Sequence, residues 1–226
     1  YQARDCEVSV ANTRITCQSA PGVGYSHAWT VTVAAPGTSA WSVTSTLTTS
    51  YSPPTLETVV QAGALPTEGN ATVILTGVNF GPVYDACDSG CSTSKALLGD
   101  VAAVYYGSSE SHAMDSSTRY ECSGAKIVVA NTQISCQSQA GIGSSLFWVV
   151  VIGVKPHADA YTQSSSYLQN GSYIPPQIET VNATRTRLSE KFDRWSFTRT
   201  LTTLGGEIVE LTGSNFGPVG TLVHAH

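Results

Sequence analysis

The stretch Ile74-Leu75-Thr76-Gly77-Val78-Asn79-Phe80-Gly81-Pro82 returns near the far end of the chain as Val209-Glu210-Leu211-Thr212-Gly213-Ser214-Asn215-Phe216-Gly217-Pro218. A second motif, Val10-Ala11-Asn12-Thr13-Arg14-Ile15-Thr16-Cys17-Gln18-Ser19, returns as Val129-Ala130-Asn131-Thr132-Gln133-Ile134-Ser135-Cys136-Gln137-Ser138. The two alternate along the chain, and the sequence starts and stops inside a repeat. An internal repeat of this kind dictates architecture, because related segments must fold into related units. The 226 residues leave room for about two ordinary domains, so a chain of modules is expected rather than one large domain.

The modules read as β. Glu7-Val8-Ser9-Val10, Arg14-Ile15-Thr16-Cys17 and Ala28-Trp29-Thr30-Val31-Thr32-Val33 alternate with period two and are rich in β-branched and aromatic residues, the half-buried strand pattern. One full unit can be followed from 54 to about 174, with strands expected at 56–59, 71–76, 101–106, 127–129, 133–136, 146–152 and, more weakly, 161–167. No segment carries a 3.6-residue period or a capped helix. Seven short strands in roughly 100 residues without a helix is the pattern of an immunoglobulin-like sandwich. Pro53-Pro54 and Pro175-Pro176 interrupt the strands at matching places and predict stiff crossings. They set the expected units at residues 1–53, 54–176 and 177–226. The Gly-x-Gly turns Pro21-Gly22-Val23-Gly24 and Ala140-Gly141-Ile142-Gly143 join strand to strand with no helix following, which argues against a nucleotide-binding loop.

Six cysteines form close pairs, Cys6/Cys17, Cys87/Cys91 and Cys122/Cys136, without the doubled C-x-x-C spacing of a zinc site, and disulfides are the better reading. Sequons at Asn70, Asn170 and Asn182 agree with an oxidising, secretory compartment and predict a glycosylated extracellular protein. Charged residues are 12% of the chain and the net charge is −5, which leaves no electrostatic footprint for nucleic acid. No apolar run approaches the ~20 residues of a membrane span. His224 and His226 stand two apart on one strand face, but no third metal ligand is in view. Ser92-Thr93-Ser94-Lys95 matches a Ser-x-x-Lys signature by chance in a serine-rich loop, and no Gly-x-Ser-x-Gly, His-Glu-x-x-His or carboxylate pair appears, so neither catalysis nor a cofactor is expected.

Taken together, Pro-x-Ile/Leu-x-x-Val, an apolar strand, Leu-Thr-Gly-x-Asn-Phe-Gly, an Ile-x-Cys strand and a Gly-x-Gly turn resemble the IPT/TIG domain. This is the immunoglobulin-like module of plexin and scatter-factor receptor ectodomains and of large secreted repeat proteins. The resemblance covers nearly the whole chain and is most specific at residues 77–81 and 213–217. It implies tandem sandwiches, the middle one complete, with 177–226 completed by residues 1–53 of a neighbouring copy or repeat. The expected function is a structural unit of a fibril or surface appendage whose partners are copies of itself and covalent glycans. Pro53, Pro54, Pro175 and Pro176 could carry sugar once hydroxylated. The alternative implied by the plexin likeness is a fragment of a receptor ectodomain that binds a protein ligand.

The second half of the chain inserts residues 182–201 before its Asn-Phe-Gly strand. Within it Trp195, Phe197, Arg199 and Leu201 alternate with Ser196, Thr198 and Thr200. This reads either as a solvated hairpin or, with Arg194, as a contact to a neighbouring domain, since Arg and aromatic residues are enriched at interface anchors. With His224 and His226, these residues form the expected assembly contact.

Overall fold

The computed structural model describes residues 1–60, 62–83, 101–153, 162–184, 197–198, 201, 203–206 and 208–225, with the backbone alone for 101–102, 183–184 and 197–198. Cys87, Cys91, Arg194, Trp195, Arg199 and His226 lie outside these residues. The strands are β1 (Arg4–Val10), β2 (Arg14–Gln18), β3 (His27–Val33), β4 (Trp41–Thr49), β5 (Thr55–Val60), β6 (Thr72–Val78), β7 (Val101–Gly107), β8 (Tyr120–Glu121), β9 (Ser123–Val129), β10 (Gln133–Gln137), β11 (Phe147–Ile152), β12 (Gln163–Ser164), β13 (Leu168–Gln169), β14 (Gln177–Thr184), β15 (Phe197–Thr198) and β16 (Ile208–Ser214). The fold is all-β.

The central part is a sandwich of two antiparallel sheets. One has the order β5-β6-β10-β9; the other has the order β12-β11-β7-β8, with β13 also paired to β11. The inward positions of β6 and β10 alternate as the sequence requires, so Val73, Leu75, Ile134 and Cys136 are buried between them. Opposite lie Val104, Tyr106, Trp148, Val150 and Ile152, in one core with Leu56, Val59 and Phe80. Each such side chain contributes about 1.5–3 kcal/mol when fully buried.

Contrary to expectation, the unit contains one helical turn, α1 (Glu110–Met114). Ser109 caps it, its hydroxyl accepting the His112 N–H. Five residues are too few to show a helical period. The turn lies over β7 and β11, where Ala103, Ala113 and Val149 are buried outside the inter-sheet core. That cover explains why Phe147–Ile152 is an unbroken apolar run rather than an alternating one.

Cys122–Cys136 and Cys6–Cys17 are disulfide-bonded as expected. Each closes a short loop onto a neighbouring strand, a link worth about 3 kcal/mol in the loop-entropy account. Trp148 stacks on Tyr106 with ring centroids 4.2 Å apart. Tyr106 Oη accepts the Gln139 N–H at 2.9 Å and lies 2.9 Å from Tyr173 Oη, which donates to the Gln139 carbonyl at 2.7 Å.

Two-stranded sheets β1–β2 and β3–β4 precede the sandwich, and a sheet of order β15-β14-β16 follows it. β14 and β16 pair just as β5 and β6 do. Thr58↔Thr76 and Val59↔Leu75 have counterparts in Thr180↔Thr212 and Val181↔Leu211, and a bulge falls at the matching step in both. At that bulge a Cβ on Gly77 would fall on the Thr55 carbonyl, and one on Gly213 on the Gln177 carbonyl. These glycines therefore serve close backbone approach. The residues with positive φ are Asn79 (62°) and Gly81 (95°), matched by Asn215 (60°) and Gly217 (91°).

Burial raises the Tyr106 hydroxyl above the ordinary value of 10.0, and burial with the Tyr106 hydrogen bond does the same to Tyr173. Above pH 10 the unfolded chain therefore loses protons that the folded chain keeps, so stability is complete below that pH and falls as pH rises through it. The melting temperature is expected to begin falling near pH 10 and to keep falling as the pH rises further. The slope should be shallower in the double variant Tyr106→Phe, Tyr173→Phe; equal slopes in a melting series would contradict this account.

Candidate assembly surfaces

The first surface is a joint between turns. Val23, in the Pro-Gly-Val-Gly turn, is only 4% exposed and belongs to the core of the central sandwich. It sits where a Cβ on Gly81 would be, beside Ile127. Ile142 stands in the same relation to Gly217. Each apolar residue at the centre of a Gly-x-Gly turn thus packs on the last glycine of the next Asn-Phe-Gly turn.

The two Gly-x-Gly turns are held alike. Tyr1 Oη accepts the Val23 N–H at 2.8 Å and donates to the Val23 carbonyl at 3.0 Å, while Tyr120 Oη makes both contacts with Ile142 at 3.2 and 3.1 Å. The Tyr51 N–H donates to Gly24 O and its hydroxyl to Ala20 O; Tyr173 repeats this with Gly143 and Gln139. Gly22 and Gly141 lie against these rings, where a Cβ would collide with them. Across the first joint, Asn79 Nδ2 donates to Pro53 O at 3.0 Å and Gln163 Nε2 to Tyr51 O at 3.0 Å. The Asn79 amide thus reaches the preceding linker rather than its own turn.

The other surfaces are sheet faces without cover among the described residues. The positions buried in the central sandwich recur here in water. Val59 and Phe80 are 5% and 0% exposed, whereas Val181 and Phe216 are 48% and 37%. Trp148 is fully buried and Trp29 is 40% exposed. Ile178 and Val209, matching Leu56 and Val73, are exposed, as are Ile15 and Val33, matching Ile134 and Ile152. In the central unit these two sets lie in one core.

The expected assembly residues are only partly placed. Phe197 bridges Thr184 through the backbone, putting β15 on the edge of β14 away from β16. His224 is exposed, beside a groove of about 430 Å³ that Pro175, Pro176, Phe216 and Leu222 also line. Sequence reasoning missed Val23, Ile142, Tyr1 and Tyr120. An apolar residue flanked by two glycines, repeated in both turns, was the available signal.

Asn70 is exposed, whereas Asn182 on β14 and Asn170 are half-buried, with the Asn170 Nδ2 donating to Val59 O at 3.2 Å. Pro53, Pro175 and Pro176 are exposed and Pro54 is buried. No helix among the described residues is long and apolar enough to cross a membrane. No protein-family model, curated protein or solved structure matches the chain.

An alanine at position 81 would meet Val23 and would also occupy a positive φ, whereas one at Gly37 (φ +78°) would meet nothing within 4 Å. Positive φ alone costs about 1–2 kcal/mol. Gly81→Ala is therefore expected to destabilise clearly more than Gly37→Ala in urea unfolding and to speed proteolysis between residues 51 and 54. Equal losses would remove the joint as a stabilising contact.

Proposed function

We propose that this chain is the structural unit of an extracellular, glycosylated fibril or surface appendage, built from IPT/TIG-like sandwiches arranged head to tail. The observation that carries the reading is the exposure of two complementary half-sandwiches, each presenting apolar positions that the central unit keeps in its core. Such faces on the same molecule cannot be satisfied by solvent. Each half lacks what the other has: β14 and β16 correspond to β5 and β6, while β2 and β3 correspond to β10 and β11. Joining unlike surfaces in this way is a heterologous contact, which extends into a filament when the rotation does not close.

The joint supports the same reading. Val23 on Gly81 and Ile142 on Gly217 relate successive units by a similar contact, and Pro53-Pro54 and Pro175-Pro176 stiffen each crossing. Disulfides at Cys6–Cys17 and Cys122–Cys136 suit an oxidising compartment. Glycans at Asn70, Asn170 and Asn182, with hydroxylated Pro53, Pro175 and Pro176 as further acceptors, would coat the fibril. No catalysis is assigned to the chain.

Electron microscopy of the native material is expected to show thin unbranched filaments, and enzymatic deglycosylation to lower the mass of the chain. Discrete monodisperse particles that bind a soluble protein at one site would overturn the fibril in favour of a receptor ectodomain. An unchanged mass after deglycosylation would remove the glycans.

A further inference from the structure

On the basis of the fibril reading above, we propose that β16 of one copy adds antiparallel to β2 of a second copy, in the register Arg14↔Thr212, Ile15↔Leu211, Thr16↔Glu210 and Cys17↔Val209. The central sandwich supplies the template. There β10 pairs with β6 as Gln133↔Thr76, Ile134↔Leu75, Ser135↔Ile74 and Cys136↔Val73. The sequence repeat carries Gln133 onto Arg14 and Thr76 onto Thr212, and the remaining pairs follow residue by residue.

Both strands are at sheet edges. Among the described residues β2 pairs with β1 alone, and β16 pairs with β14 while β15 takes the far edge of β14. In the central sheet, β5-β6-β10-β9, the joined order would be β14-β16-β2-β1. Strand addition of this kind gains main-chain hydrogen bonds, while alternate side chains set the register. The proposed register puts Ile15 and Cys17 opposite Leu211 and Val209 on the inner face, as Ile134 and Cys136 lie opposite Leu75 and Val73. A shift by one residue would turn those apolar side chains outward.

The outer face gives an independent reason to choose a second copy as the occupant. In the central sandwich Gln133 and Ile74 are diagonal neighbours across the β10–β6 pair, and neither is charged. At the matching positions of the proposed seam stand Arg14 and Glu210. Only 12% of the chain is charged, yet both positions have gained charge and the signs are opposite. Diagonal neighbours in a sheet are within reach of long side chains, and opposite charges there favour the pairing. Pairing β2 with β2, or β16 with β16, offers no such match.

The 226-residue chain carrying Arg14→Lys provides the test. A water-soluble carbodiimide activates the Glu210 carboxylate, and the amine of the introduced lysine displaces the resulting urea to form an amide, with net loss of water. Denaturing gels should show a ladder of multimers, and peptide mass spectrometry a link between chains that joins position 14 to Glu210. Both should be lost when Glu210→Gln is added. Filaments that form without this link would overturn the register and leave the fibril reading standing. The link in closed pairs without filaments would uphold the register and overturn the fibril; neither link nor filaments would overturn both. Charge exchange guards against a misfolded variant: Arg14→Glu and Glu210→Arg should each reduce multimers, and the two together in one chain should restore them. Multimers insensitive to all three changes would overturn the proposal.

Discussion

A β-sandwich core exists only when a second sheet closes over the first, and this requirement organises the whole molecule. Leu56, Val59, Val73 and Leu75 are buried because Val104, Tyr106, Trp148 and Val150 face them. Ile178, Val181 and Val209 have the same chemistry on a sheet of the same register but face water. What differs is the presence of the opposing layer, not the strand. Hydrophobic burial is non-directional and scales with area, so the exposed faces carry a standing drive to be covered. The sheet edges add direction, because an unpaired strand accepts only another strand.

The strands were legible in the sequence because sheet structure writes itself as period two. β5, β6, β10 and β11 fall within a few residues of where alternation and apolar runs placed them. The turn α1 was not legible, since one turn has no period, and its only mark is Ser109 before Glu110. The nine-residue β4 was blurred by a run of Ser and Thr with no buried side chain to enforce alternation. The disulfides at Cys6–Cys17 and Cys122–Cys136 followed from spacing. The joint did not, because Val23 meeting Gly81 is a contact between residues 58 apart that no local pattern encodes.

The repeated Leu-Thr-Gly-x-Asn-Phe-Gly motif divides into two jobs once its neighbours are known. Gly77 and Gly213 answer to their own sheet, where a carbonyl across a bulge leaves no room for a Cβ. Gly81 and Gly217 answer to the preceding unit, whose Gly-x-Gly turn delivers Val23 or Ile142 to the same spot. Phe80 lies between these two demands, buried in the core that the turn closes. The first glycine of each motif would be required in an isolated domain. The last is required in addition by what sits on it, so the turn is at once a fold element and a coupling between units. Tyr1 and Tyr120 hold the delivering turns through the same two backbone hydrogen bonds, so Val23 and Ile142 are presented to Gly81 and Gly217 in the same way. The same contact made twice is what the proposed fibril needs, because a regular linear array requires a constant relation between successive units.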